Sequence, residues 1–248
     1  MFLSNLFLAQ ATAVTKEAVS EKPHNSISVD IAALEFTGVV QKNGRGAFDL
    51  MMKDLAKSSK VNHNYQIYSP ARGARILLSG RSDCLIPGSL YPPYYKNMRV
   101  IHSESFAKVR YLAFTLPKNK TITNKTELAG KVIGIIRDED TWDYEQRFQI
   151  NNAKYIKVSS LESLVEMLYH QRIDVAIHDQ SDFIGMAEHL KKAKPNYDKT
   201  NPMAVDKIVI SCHDNDNNRA YLKAISPALK SMIKNKTMGK YFQQTRIE

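Results

Sequence analysis

From Leu161 to Asp182 the chain reads LESLVEMLYHQRIDVAIHDQSD, in which Leu161, Leu164, Val165 and Leu168 recur at helical spacing. A polar turn follows, then a short apolar run from Val175 to Ile177 that opens on His178 and Asp179. The stretch Ile76 to Ser89, ILLSGRSDCLIPGS, repeats this order of events, with Leu77, Arg81, Asp83, Ile86 and Gly88 matching Leu168, Arg172, Asp174, Ile177 and Asp179. Helix, turn and buried strand form the closing half of a βαβ unit, and open sheets built from such units bind ligands beyond the carboxyl ends of their strands. Two copies predict two lobes. If the strand ends face each other, Gly88, Ser89, His178, Asp179 and Gln180 line a shared cleft.

The remaining pattern fills in around these two units. A strand is expected over Ile27 to Leu34, then a turn-rich loop over Gly38 to Gly46, then a helix that buries Phe48, Met51, Met52 and Leu55 on one side. Further strands are expected at Tyr65 to Tyr68, Cys84 to Ile86, Val109 to Leu116, Lys131 to Ile136, Lys154 to Val158 and Ile208 to Cys212. Asn124 to Glu127 and Ser159-x-x-Glu162 read as helix starts, the second as a capping box. A further helix is expected to begin near Asp140, and another to run from Asp179 to about Lys194. Lys194 to Lys207 reads as a proline-containing connection. The closing helices present Leu222, Ile225, Leu229, Met232 and Ile233, then Tyr241 and Phe242, as core faces. The loop Tyr91-Pro92-Pro93-Tyr94-Tyr95 is too rich in proline for regular structure.

Composition changes this picture little. At 248 residues with 43% hydrophobic and 24% charged residues, the chain can bury a substantial core and shows no disordered or fibrous bias. No apolar run approaches the ~20 residues of a membrane span. The net charge of +10 admits an anionic partner, but the lysines are spread along the sequence, which makes nucleic acid a minor alternative. Phe2 to Ala13 carries a short apolar run ending in Ala11-Thr12-Ala13, which reads as an export signal or as a frayed end, and residues 1–26 together as signal or flexible leader. Cys84 and Cys212 read first as buried free thiols, although a disulfide would fit export.

Phosphate-loop, HExxH, paired CxxC and GxSxG patterns are absent from the sequence, so the commonest nucleotide, metal and hydrolase signatures are missing. Asp214 to Asn218 opens like a calcium loop but has Arg219 where the glycine is required. No cofactor and no metal are expected, and no enzymatic activity.

The order of elements, with Gly46-Ala47-Phe48, Leu77-x-x-Gly80-x-x-Asp83, Glu127-Leu128-Ala129-Gly130-Lys131, Leu168 to Asp179 and Met238-Gly239-Lys240-Tyr241-Phe242, resembles the extracellular solute-binding proteins, family 3, of polar amino acid ABC importers. The resemblance covers nearly everything from Ile27 to Gln244. It implies an α/β fold of the type II periplasmic binding kind: two lobes with mixed sheets joined by two crossover hinge strands, Arg110 to Leu116 and Ile208 to Cys212. Lobe 1 would comprise residues 27–113 and 208–248, and lobe 2 residues 114–207. The implied protein is periplasmic and monomeric. It would capture a small polar solute by lobe closure and deliver it to an ABC permease, with no nucleic acid and no stable membrane insertion. The same fold serves receptor modules and a few dehydratase-like enzymes, so sensing, or an elimination using Glu139 or Asp179 with His178, are the alternatives.

The resemblance also assigns residues. Asp179, with His178 beside it, would take the solute's ammonium through a charge-assisted bond, unless it serves only as an N-cap. Glu35 and Phe36 follow the first strand, Arg72 lies on the second loop, Gly88 and Ser89 would supply hydrogen bonds, and Arg137 and Thr141 would sit at a helix mouth. Tyr95 stands where such binders place a carboxylate-gripping arginine, and a phenol cannot form the guanidinium fork; its expected role is stacking. Asp138-Glu139-Asp140 replaces the usual anion nest. Both departures point to a cationic or aromatic solute.

Overall fold

The computed structural model describes residues 27–36, 38–91, 95, 98–137, 148, 150 and 152–244. Strands β1 (Ser28–Leu34), β2 (Asn62–Tyr68) and β3 (Cys84–Ser89) alternate with helices α1 (Ala47–Ser59) and α2 (Pro70–Leu78). After β4 (Val100–His102) and β5 (Ala107–Phe114) come a 3-10 turn (Lys125–Leu128), β6 (Val132–Ile136), β7 (Lys154–Val158), α3 (Leu161–Tyr169), β8 (Val175–Asp179) and α4 (Gln180–His189). The chain closes with β9 (Ala204–His213), α5 (Asp216–Lys234) and α6 (Thr237–Gln244).

One mixed sheet runs through the molecule in the order β2-β1-β3-β9-β5-β8-β6-β7, with β4 also on β9. At each end three strands are parallel, β2-β1-β3 and β8-β6-β7, as βαβ construction requires. Between them β9 and β5 pair antiparallel and serve both ends. The architecture is the expected two-lobed type II periplasmic binding fold, with β5 and β9 as the crossover strands.

Apolar burial follows the same division. In the first lobe, Phe48, Met51, Met52 and Leu55 of α1 meet Tyr221, Ile225 and Leu229 of α5 over one sheet face, while Ile76 and Leu77 of α2 cover the other. In the second lobe, Leu164, Val165 and Leu168 of α3 and Phe183 of α4 pack on Leu112 and Phe114 of β5. Phe114 and Phe183 stack at 4.2 Å.

Several expectations shift. The helix start at Asn124 yields only a 3-10 turn, because Asn124 Oδ1 takes the Thr126 and Glu127 amides and Gly130 ends the turn at once in a left-handed conformation. The cap of α3 is Ser160 rather than Ser159, accepting from the Ser163 amide. Helix α4 stops at His189, and β9 begins at Ala204, four residues ahead of the expected start, because it also pairs with β5. On α5 the buried stripe is Asn218, Tyr221, Ile225 and Leu229, and Ile233 is 36% exposed instead of core. Cys84 and Cys212, read first as free thiols, form a disulfide between directly paired residues of β3 and β9. Paired strands bring the two Cα atoms to 4.0 Å across 128 positions of sequence.

Candidate functional site

The crossover ladder sets the geometry between the lobes. Ser89 at the end of β3 pairs with Ile208, which pairs with Ala107; Asp179 at the end of β8 pairs with Tyr111. Ala107 and Tyr111 are four residues apart on β5, so the two strand ends lie about 14 Å apart along the ladder. Paired residues, and every second residue along a strand, share one side of a sheet. Ala107/Ile208, Val109/Asp206 and Tyr111/Ala204 therefore form one face running from Ser89 to Asp179. At its midpoint is Asp206, a carboxylate only 3% exposed. Sequence reasoning missed this residue by assigning 194–207 to a connection, since Ala204-Val205-Asp206-Lys207-Ile208 carries no alternation of apolar and polar residues.

On the second lobe, Asp179 is the N-cap of α4. Its Oδ1 accepts from the amides of Ser181 (2.8 Å) and Asp182 (3.2 Å). Oδ2 accepts no bond from a described residue, so the cap leaves half of the carboxylate uncommitted. His178, one residue earlier on the opposite side of β8, is 15% exposed at its side chain, with Nε2 3.9 Å from Asp182 Oδ2. Burial pushes the imidazole down to about 4 against the opposing pull of Asp179. Burial and then the Asp179 charge push the Asp182 carboxyl up to about 6. Asp182 is half exposed at its side chain, so solvent moderates its shift more than that of His178. Both shifts run against an ion pair between them.

On the first lobe, the residues expected to bind are largely committed to one another. The Tyr95 ring is 2% exposed, which removes the stacking role expected of it. Its hydroxyl accepts from the Ser89 amide (2.9 Å), donates to the Ser89 carbonyl (2.7 Å) and lies 2.5 Å from Ser211 Oγ, itself 3.0 Å from His102 Nδ1. Burial pushes the phenol up to about 12. Ser89 Oγ accepts from the Tyr91 amide. Gly88 makes room for this network, since a Cβ there would stand 2.8 Å from Ser211 Cβ. The amide, carbonyl and hydroxyl of Ser89 are thus engaged internally, because the phenol in the arginine's place and the Tyr91 amide reach them.

Glu35 and Phe36 stand at the end of β1. Glu35 is 3.5 Å from Lys42, and Phe36 is 40% exposed and bridged to Val40. The loop they enter is pinned by buried Asp49, whose Oδ2 accepts from the Gln41 and Gly46 amides and whose Oδ1 accepts from the Tyr65 hydroxyl. Arg72 lies over the Tyr68 ring at 5.4 Å on the exposed start of α2. Arg137 follows β6 and borders a cavity of about 470 Å³ with Lys157, Ser159, Ser163, Glu166 and Arg172. A second cavity, about 380 Å³, lies beside Tyr95, His102, Arg99 and Asp214. Each draws on a single lobe. Thr141 and Asp138-Glu139-Asp140 lie outside the described residues. Among the described residues, no cluster of acidic, histidine or cysteine side chains suits a metal ion.

Solved structures share this architecture. The GluR0 ligand-binding core in complex with L-glutamate superposes with a TM-score of 0.69 at 13% identity, over 89% of this chain and 98% of that one. An ancestral arginine-binding protein bound to arginine gives 0.66 at 17% identity, over 89% and 99%. A histidine kinase sensor domain with similarity to periplasmic binding proteins gives 0.65 at 14%, over 88% and 94%. At these identities the likeness is one of fold. No protein-family model matches the sequence, and no curated protein matches it.

Proposed function

We propose that the chain is an exported, monomeric solute-binding protein of the family 3 type, which closes two lobes on a small polar solute bearing a cationic group and delivers it to an ABC permease. The observation that carries the reading is Asp179 at the second-lobe end of the crossover ladder, whose Oδ2 accepts no bond from a described residue. A carboxylate oxygen left open there favours an ammonium or guanidinium, which a shielded site holds by charge-assisted bonds. Phe36 offers an exposed ring at the first-lobe rim. The disulfide supports export, because such bonds persist in oxidising compartments. Among the described residues no helix is long and apolar enough to cross a membrane. The reading assigns no chemical step.

The test is a thermal-shift series with L-arginine, L-glutamine, putrescine and succinate, since a ligand that binds only the folded state raises Tm. Arginine or putrescine is expected to shift Tm and succinate to leave it unchanged. Asp179→Asn keeps the N-cap while removing the charge; it is expected to abolish the shift with the ligand-free Tm little altered. A full shift in that variant, or a response to succinate alone, contradicts the reading. The likeness to a sensor domain favours a second reading, a ligand-sensing module. A permease and an ATPase encoded beside this gene would decide for transport; a chemoreceptor or kinase would decide for sensing.

A further inference from the structure

The net charge of +10 is not shared between the lobes. Residues 27–113 and 208–248 hold nineteen lysines and arginines against nine carboxylates, while residues 114–207 hold fourteen of each. Much of the excess lies on one layer. Helices α1, α5 and α6 pack together over the same sheet face of the first lobe, so their outer sides form one surface.

On α5 the buried stripe runs through Asn218, Tyr221, Ile225 and Leu229. At 100° per residue, Arg219, Lys223, Lys230 and Lys234 fall within about 60° of one another on the opposite side. On α1 the buried side carries Met51, Met52 and Leu55, and Lys53, Lys57 and the C-cap Lys60 recur on its outer side. All seven are exposed, as is Lys240 on α6. Arg219 is paired with Asp214 and Lys230 with Glu104, but Lys57, Lys60, Lys223 and Lys234 make no ion pair with any described residue. Along nineteen residues α5 extends about 28 Å, the reach of a docking face rather than a pocket. Ile233, 36% exposed, adjoins the stripe beside Lys234.

We infer that this three-helix layer is a docking surface for anionic phospholipid headgroups, laying the first lobe on a membrane and leaving the second lobe free. Regularly spaced cations without a groove match a laterally extended negative surface, with no base-reading or peptide-holding geometry. An aliphatic side chain at the edge can enter the headgroup layer. The Cys84–Cys212 bond indicates an oxidising compartment, where membrane lipid is the abundant polyanion and nucleic acid is not. The inference does not depend on which solute the cleft holds.

The experiment is co-sedimentation of the full chain with vesicles of phosphatidylcholine alone or with about one-third phosphatidylglycerol, at low and high salt. Binding is expected only to the anionic vesicles and is expected to be lost at high salt. The variant K57E/K223E/K234E/K240E is expected to bind at least tenfold more weakly. The variant K118E/K125E/K154E/K194E, with the same change in net charge on the second lobe, is expected to stay within twofold of wild type. Melting curves of both establish that they fold; should the first fail to, the corresponding Lys→Gln set takes its place. Equal loss in both variants, equal binding to neutral vesicles, no vesicle binding by wild type, or tighter binding to a short DNA duplex than to vesicles each overturns the inference. Solute-induced Tm shifts, read separately, report on the cleft alone.

Discussion

The helices of the two lobes do the same structural work with opposite polar faces. Helices α1 and α5 bury an apolar stripe and turn lysine and arginine outward; α3 and α4 also bury apolar residues, yet carry four carboxylates and no lysine or arginine. The polar interiors differ too. The first lobe is tied together by the disulfide, by Asp49 under the β1–α1 loop and by the Tyr95 hydroxyl between Ser89 and Ser211. The second rests on its apolar clusters and on helix caps such as Ser160 and Asp179. Amphipathic periodicity determines how a helix packs, whereas its outward residues are free to encode a second task. Here the cross-linked half presents charge, and the half with the uncommitted carboxylate oxygen is the one proposed to hold the solute's cation.

That contrast is open to three direct perturbations. The largest effect is expected from removing the disulfide: Cys84→Ala with Cys212→Ala releases a constraint spanning 128 positions, which chain entropy values at about 5 kcal/mol. Thermal or denaturant unfolding should show the loss, with the first transition arising in the first lobe; an unchanged midpoint would show that lobe to be held by packing alone.

Next is a pair of glycine substitutions. Gly88→Ala drives a methyl into Ser211, whose backbone is fixed in the β3–β9–β4 ladder, and should cost about 3 kcal/mol by overpacking. Gly134→Ala meets only methyl ends, with Leu164 Cδ1 2.7 Å away and Ile173 beside it, and should cost about 1 kcal/mol because those side chains can rotate. Equal costs, read from denaturant midpoints, would erase the difference in rigidity.

The third perturbation, comparable in size to the difference between the two glycines, is the acid response. Burial lowers both His63, in the first lobe beside the Tyr221 hydroxyl, and His178, in the second, to about 4. Between the unfolded value of about 6.5 and the folded value, the unfolded chain binds more protons, so stability is full above that range and falls as pH drops through it. Asp182, raised to about 6, works the other way: it favours the folded state at low pH and loses that contribution as pH rises toward 6. His63→Gln should therefore flatten the loss of stability between pH 6.5 and 4 by about 2 kcal/mol, and His178→Gln should do likewise, with the opposing Asp182 contribution left in place.

Much of the fold was legible in the chain because buried strands and one-sided helices leave a periodic record. The strands at Val175 to Ile177 and Cys84 to Ile86 are read from that record, and the structure extends them to Asp179 and Ser89. The site was harder to read. Tyr95 was recognisable as a departure from an arginine, but its burial and its bond to Ser211 depend on a partner 116 residues away. Asp206 was hidden because one aspartate in a segment containing Pro195 and Pro202 resembles a loop residue until its pairing with Val109 is known. Asp179 is the N-cap of α4, which uses one of its two carboxylate oxygens, and its contact with a solute is the proposal made above.

By itself the sequence determined the α/β class, the two repeated units and the total charge, because these follow from residue type and spacing along one dimension. Tertiary structure alone decided that Cys84 meets Cys212, that Tyr95 occupies the peptide groups of Ser89, and that cations from α1 and α5 share a surface. Each of those outcomes depends on distances between segments far apart in the chain, and such distances are set only when the strands pair and the helices settle on the sheet.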